Sequence, residues 1–217
     1  MVQPISQDAM RSRNLQLMLQ MLFNHSETSR IKIAKTLNLN KSTISSLYTT
    51  LDQQGYITEL GQGVSSEAGG RRPILITFNR HYGYTANFEL GHHHLRMMIN
   101  WLNGEKISFI SLPVIDLDIH AIVTLMKTQL DQIKIPTAIH GLVGISIAIN
   151  GIVDHNQIVD SPFIAMQGVD LTAALATYQV PVRLENEANL AAIAASDYLK
   201  HTTKKNLIAL DVHNGIG

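Results

Sequence analysis

With 217 residues, 45% of them hydrophobic, the chain is long enough to bury a real core and to form one or two domains. Its 17 Lys and Arg balance 17 Asp and Glu, and the absence of cysteine excludes a disulfide framework and any thiolate zinc site within this chain. The first twenty residues hold no basic segment followed by an apolar core, and no run reaches the about 18 apolar residues of a membrane span, so the expected location is cytoplasmic with no membrane partner.

The first predicted element is a helix over residues 14–23, with Leu15, Met18, Leu19 and Leu22 on one face. Residues 29–57, SRIKIAKTLNLNKSTISSLYTTLDQQGYI, then carry two short apolar-periodic segments joined by a tight break. Ile33, Ala34 and Leu37 form the inward stripe of one helix, and Ile44, Leu47, Tyr48 and Leu51 repeat it in the next at i, i+3, i+4 and i+7. Ser29 and Asn40 stand where N-caps belong, and Leu37-Asn38-Leu39-Asn40 makes the turn between them. The outer face of the second helix is small, polar or cationic: Lys41, Ser42, Thr43, Ser45, Ser46 and Thr49. Such a face suits entry into a DNA major groove, although an isolated Ser/Thr-rich face is more often a solvated surface.

Context favours DNA. After Gly55, YITEL and PILITF read as strands around the polar, Gly-rich loop GQGVSSEAGGRR, the pattern of a winged helix. Arg71 and Arg72 would sit at or near the wing, in reach of phosphates or a narrow minor groove, or else form a solvated pair in a linker. Residues 1–80 hold nine Lys or Arg against five Asp or Glu, and the remainder eight against twelve, so the zero total conceals a basic head on an acidic body. The expected DNA-contacting set is Arg30, Lys41, Ser42, Thr43, Ser46, Arg71 and Arg72, with double-stranded operator DNA as the partner.

A second domain is expected over residues 81–217. YGYTANFEL, HLRMMINWL and KISFISLPV read as three strands of an antiparallel meander, with Asn103-Gly104 a hairpin signal. IHAIVTLMKTQLDQI follows as a helix whose Ile119, Ile122, Val123, Met126 and Leu130 share a face. GLVGISIAIN reads as a fully buried strand, DLTAALATY as a short helix, VPVRLE as a strand, EANLAAIAASDYL as a helix and NLIALDV as a strand. Meander followed by alternating helix and strand predicts a mixed sheet flanked by helices, an α/β and α+β chain. His92-His93-His94 invites a metal hypothesis, but adjacent residues in a strand alternate faces and do not converge on one ion.

SRIKIAKTLNLNKSTISSL, AGGRRPILITFN, the strand-turn-strand through FELG, INGIVD and ENEANLAAIAAS, in this order, resemble the ROK family of repressors and sugar kinases, particularly its xylose-repressor-type regulators. The resemblance covers essentially the whole chain. It implies a winged helix-turn-helix joined to the first lobe of an actin-like, sugar-kinase-type domain, a sugar effector, and a homodimer or higher oligomer on a two-fold operator. By position, Asn186 would contact a sugar hydroxyl, Glu187 would replace the family's aspartate base, and Gly151 within Asn150-Gly151-Ile152-Val153-Asp154 would line the pocket. On their own, Asn186 and Glu187 are also good first-turn helix residues, and Asn-Gly is a good turn former. The kinases' phosphate turn matches Glu89-Leu90-Gly91-His92-His93, where an imidazole replaces a glycine and obstructs a nucleotide, so FELGHHHL is read as a plain hairpin turn.

The implied function is sugar-responsive repression of carbohydrate utilisation genes without enzymatic activity; a ROK-type sugar kinase and a truncated, non-functional regulator are the alternatives. The family's second lobe, with its Cys/His zinc motif and further sugar contacts, would follow Gly217, so no cofactor is expected in this chain and zinc only in that lobe. A one-walled cleft is expected to bind sugar weakly or not at all and to leave apolar surface uncovered.

Overall fold

The structure, a computed structural model, describes residues 6–64, 72–198 and 208–209. The chain divides into two compact units, Met1–Tyr82 and Gly83–Gly217.

The first unit runs α1 (Gln7–Asn24), β1 (Thr28–Ser29), α2 (Arg30–Leu37), α3 (Lys41–Gln53), β2 (Ile57–Gln62) and β3 (Ile74–Phe78). Its core is Met18, Leu22, Ile33, Ile44, Leu47, Leu51 and Ile76, each at most 3% exposed. Burial of such a side chain contributes about 1.5–3 kcal/mol, so the apolar stripes hold the three helices together. Both expected caps form: Ser29 Oγ accepts from the Lys32 N–H at 3.3 Å, and Asn40 Oδ1 from the Thr43 N–H at 2.7 Å. The tight break between α2 and α3 turns on Asn38 at φ 51, a left-handed position that asparagine tolerates, and the Leu39 N–H closes it on the Ala34 carbonyl at 3.0 Å.

Two features differ from expectation. Helix α1 begins at Gln7, not at residue 14, because Ser6 Oγ caps it through the Ala9 N–H at 3.1 Å. Its first two turns are solvent-exposed and carry no apolar stripe, the only signal that periodicity detects. The sheet also has a third strand, in the order β1-β3-β2, all antiparallel. Ser29 therefore pairs with Leu75 and caps α2 at once, and it is buried.

The second unit holds β4 (Tyr84–Leu90), β5 (His94–Trp101), β6 (Lys106–Pro113), α4 (Ile119–Asp131), β7 (Leu142–Ile149), β8 (Ile152–Asp154), β9 (Gln157–Asp160), α5 (Leu171–Ala174), β10 (Val182–Asn186) and α6 (Glu187–Tyr198). The predicted meander is present as β4-β5-β6, and β7 and β10 add parallel strands to give the order β10-β7-β4-β5-β6. The predicted face of α4 is buried in a cluster with Ala86, Phe88, Ile145 and Ile147.

Strand β7 is half-buried rather than buried on both faces. Ile145, Ile147 and Ile149 enter the core, whereas Gly144, Ser146 and Ala148 alternate with them on a partly solvated face. That face is polar: Ser146 Oγ donates to Asn87 Oδ1 at 2.7 Å, and Asn87 Nδ2 donates to Thr85 Oγ1 at 3.2 Å. The hairpin β8-β9 is an element that the sequence reading does not predict. It turns on His155 and Asn156 at φ 46 and 63, a two-residue loop whose handedness matches strand twist. Asn156 then ties the hairpin to edge strand β10, donating to the Val182 carbonyl at 3.1 Å and accepting from the Leu184 N–H at 2.7 Å. The predicted strand NLIALDV lies outside the described residues except for Ile208 and Ala209.

Candidate nucleic-acid interface

Packing fixes which face of α3 meets solvent. With Ile44, Leu47, Tyr48 and Leu51 buried, Lys41, Ser42, Ser45, Ser46 and Thr49 are exposed, and Thr43 and Thr50 lie half-buried at its margins. The hydroxyls are oriented by local bonds. Ser42 donates to Asn40 Oδ1 at 2.7 Å, Ser45 to the Lys41 carbonyl at 2.9 Å, Thr49 to the Ser45 carbonyl at 3.0 Å and Thr50 to the Ser46 carbonyl at 3.1 Å. A hydroxyl has one proton and two lone pairs, so these groups turn acceptor lone pairs outward. Such acceptors match amino groups on base edges, such as adenine N6 and cytosine N4, better than they match phosphates.

The cations surround this face. The Arg30 guanidinium stands 4.7 Å from the centroid of the Tyr48 ring, a cation–π contact that restrains it. Tyr48 in turn donates to Glu59 Oε1 at 2.7 Å; burial first, and then this bond, push the phenol up to about 12. Arg30 lines two shallow clefts, one of about 310 Å³ with Lys41 and Ser45 and one of about 230 Å³ with Arg72 and Ser29. Arg30, Lys41 and Arg72 thus gather around the start of α2 and the base of the β2–β3 connection. Arg71 lies outside the described residues.

Sequence reading missed Arg11. From α1 its guanidinium donates to Thr50 Oγ1 at 2.9 Å and approaches Ser46 Oγ at 3.5 Å. The contact spans 35 and 39 residues, which no local pattern signals.

In the second unit, two of the three expected sugar residues, Asn186 and Gly151, meet through a hydrogen bond, and Glu187 follows Asn186 in the chain. Asn186 Nδ2 donates to the Gly151 carbonyl at 2.9 Å, and its Oδ1 accepts from the Ala188 and Asn189 N–H groups at 2.9 and 3.2 Å, so it caps α6. Glu187 is half-buried in the first turn of α6. Gly151 is required sterically, because a Cβ there would run into the Asp160 carbonyl.

The Glu89–His93 segment is a hairpin turn closed by the Gly91 N–H on the His94 carbonyl at 3.0 Å. The imidazole against the turn is that of His94, which a Cβ on Gly91 would approach to 2.5 Å, whereas His92 and His93 are exposed. Glu89 Oε1 is bound by His94 Nε2 at 2.9 Å and Arg96 at 2.8 Å. Partial burial pushes its carboxyl up, but the His94 and Arg96 bonds outweigh it and hold the group below the usual range. Among the described residues, no group of three His, Cys, Asp or Glu side chains is placed to hold a metal, and no helix is long and apolar enough to cross a membrane.

The chain is 45% identical to the xylose repressor of Lactiplantibacillus pentosus over 215 residues, 98% of this chain and 55% of that protein. It is 35% identical to the xylose repressor of Staphylococcus xylosus over 208 residues, 95% of this chain and 54% of that one. It thus spans about half the length of the curated relatives it matches. A solved ROK family transcriptional regulator, described as a homolog of the E. coli MLC protein, superposes at a TM-score of 0.65 and 16% identity over 87% of this chain and 49% of that one, a likeness of fold. The ROK family model matches residues 87–217, more than half of the sequence, and the chain belongs to the ROK family.

Proposed function

We propose that this chain is a DNA-binding transcriptional repressor of carbohydrate utilisation genes, with a winged helix-turn-helix head on the first lobe of an actin-like domain. Helix α3 enters the major groove, and Arg30, Lys41, Arg71 and Arg72 contact the backbone or a narrow minor groove. The effector is a sugar, xylose being the one named for the curated relatives, and it acts by favouring one of two states of differing operator affinity. Repression is by a homodimer on a two-fold operator in the cytoplasm, and the chain has no enzymatic role.

The observation that carries this reading is the exposed Lys/Ser/Thr face of α3, held by the Asn40 cap and four buried apolar side chains. The sugar-kinase alternative is disfavoured by Glu89, whose carboxylate is engaged by His94 and Arg96 where a kinase would position its metal-nucleotide. A salt-dependent titration of the purified chain against its own upstream region and a scrambled duplex of equal length tests the proposal. Preferential binding that weakens with salt is expected. Equal, weak binding to both duplexes would remove the DNA-reading role, and sugar-dependent ATP consumption in a coupled assay would restore the kinase reading.

A further inference from the structure

The exposed face of α3 is electrostatically uneven. Lys41 stands at its first residue, while Thr50 lies nine positions on, about 14 Å along a helix that rises 1.5 Å per residue. That distance exceeds the about 8 Å over which salt screens a charge under physiological conditions, so Lys41 contributes little at Thr50. What α3 itself offers there is unfavourable to a phosphate. Asp52 is an acidic residue, the helix C-terminus carries the negative end of the dipole, and Thr49 and Thr50 commit their protons to carbonyls one turn back. A helix lying in a groove between two phosphate backbones would be attracted at one end and repelled at the other.

Arg11 is placed to offset this. It is exposed on α1, and its guanidinium rests on the lone pairs of Thr50 and Ser46. A guanidinium has five N–H donors in a fixed fork, so two can hold it against the hydroxyls while others face outward. Exposed hydrogen bonds of this kind contribute little to folding and do not by themselves explain why a long side chain is laid across this surface.

We infer that Arg11 contacts a DNA phosphate beside the C-terminal half of α3, so that two helices, α1 and α3, build the DNA-reading surface. The inference rests on the proposal that α3 enters DNA. Ser46 and Thr50 act as the seat that aims the guanidinium, and the contact strengthens binding to any sequence α3 reads.

The test uses the full chain and a duplex that the wild type enriches from a random-sequence pool, with Arg11→Ala, Arg11→Lys and Lys41→Ala variants titrated across salt. One lost phosphate contact lowers the slope of log affinity against log salt by about one. The deficit of Arg11→Ala relative to wild type therefore shrinks about three- to fourfold between about 50 and 200 mM salt. Arg11→Lys, which keeps the charge, recovers the slope, and the melting temperature of both variants matches wild type. A wild-type slope in Arg11→Ala beside a reduced slope in Lys41→Ala would overturn the role of Arg11 while leaving α3 as the reading helix. A lowered melting temperature with an unchanged slope would make the contact structural and overturn it too. Failure of the wild type to enrich any duplex would remove the DNA reading of α3 and this inference with it.

Discussion

Asn40 allows folding and DNA recognition to be separated at one position. Its side-chain oxygen accepts from the Thr43 N–H and the Ser42 hydroxyl, both at 2.7 Å, at the start of the proposed recognition helix. Asn40→Ala removes the acceptor, and loss of an N-cap costs about 1 kcal/mol. That raises the open population of the first turn of α3 about fivefold. Because the open form remains a small minority, operator affinity changes little. Asn40→Asp keeps the acceptor, and its charge favours the positive end of the helix dipole by about 0.3–1 kcal/mol, so the turn stays closed. The same charge stands beside Lys41 and repels phosphate. The expected result is reciprocal: hydrogen exchange at the Thr43 and Ile44 amides accelerates in Asn40→Ala alone, and operator affinity falls in Asn40→Asp alone. Equal exchange in wild type and Asn40→Ala would refute the cap as the anchor of α3, and full affinity in Asn40→Asp would refute phosphate proximity.

Two further outcomes follow from the geometry. The Tyr48 phenol is pushed from 10.0 to about 12, so the folded head favours its protonated form; the stability it adds is fully present below about pH 10 and is lost as pH climbs through about 12. Urea unfolding of wild type should weaken between about pH 9 and pH 11 more than that of Tyr48→Phe, and parallel curves would contradict the assignment. Gly151→Ala should destabilise the second unit by about 1–3 kcal/mol, because its methyl meets the Asp160 carbonyl; an unchanged denaturation midpoint followed by Trp101 fluorescence would exclude that clash.

Local rules wrote much of this fold into the sequence. The α2–α3 pair was legible because apolar spacing, two caps and an asparagine in the turn agree, and the meander because its strands alternate. The misses have separate causes. Strand β1 is two residues long and exists only because β3 lies beside it. The β8-β9 hairpin turns on His155-Asn156, an uncommon pair for that turn, and owes its placement to Asn156 bonds with a strand some 26 residues away. Strand β7 reads as doubly buried because Gly144, Ser146 and Ala148, which alternation puts on one face, are small enough for either environment, and composition does not tell that this face is partly solvated. The Asn186 side chain of the ENEAN motif caps α6, and spacing alone does not separate a helix cap from a sugar contact at that residue. Arg11 reaches its partners only through tertiary packing.

Ser29 gives the head a mechanical property. One buried residue is both a rung of the sheet, opposite Leu75, and the cap of α2. Displacing β3 relative to the helix pair would break a ladder pairing and unseat the first turn of α2 together, so the two parts of the head proposed to face DNA resist independent adjustment. On the proposed DNA-binding reading, a duplex has to present its major groove and the neighbouring backbone at one fixed offset, or lose both sets of contacts. Mutations in α3 and in the β2–β3 connection should consequently show coupled rather than additive losses of affinity, and operators that differ in groove width should be discriminated even where every base touched by α3 is the same.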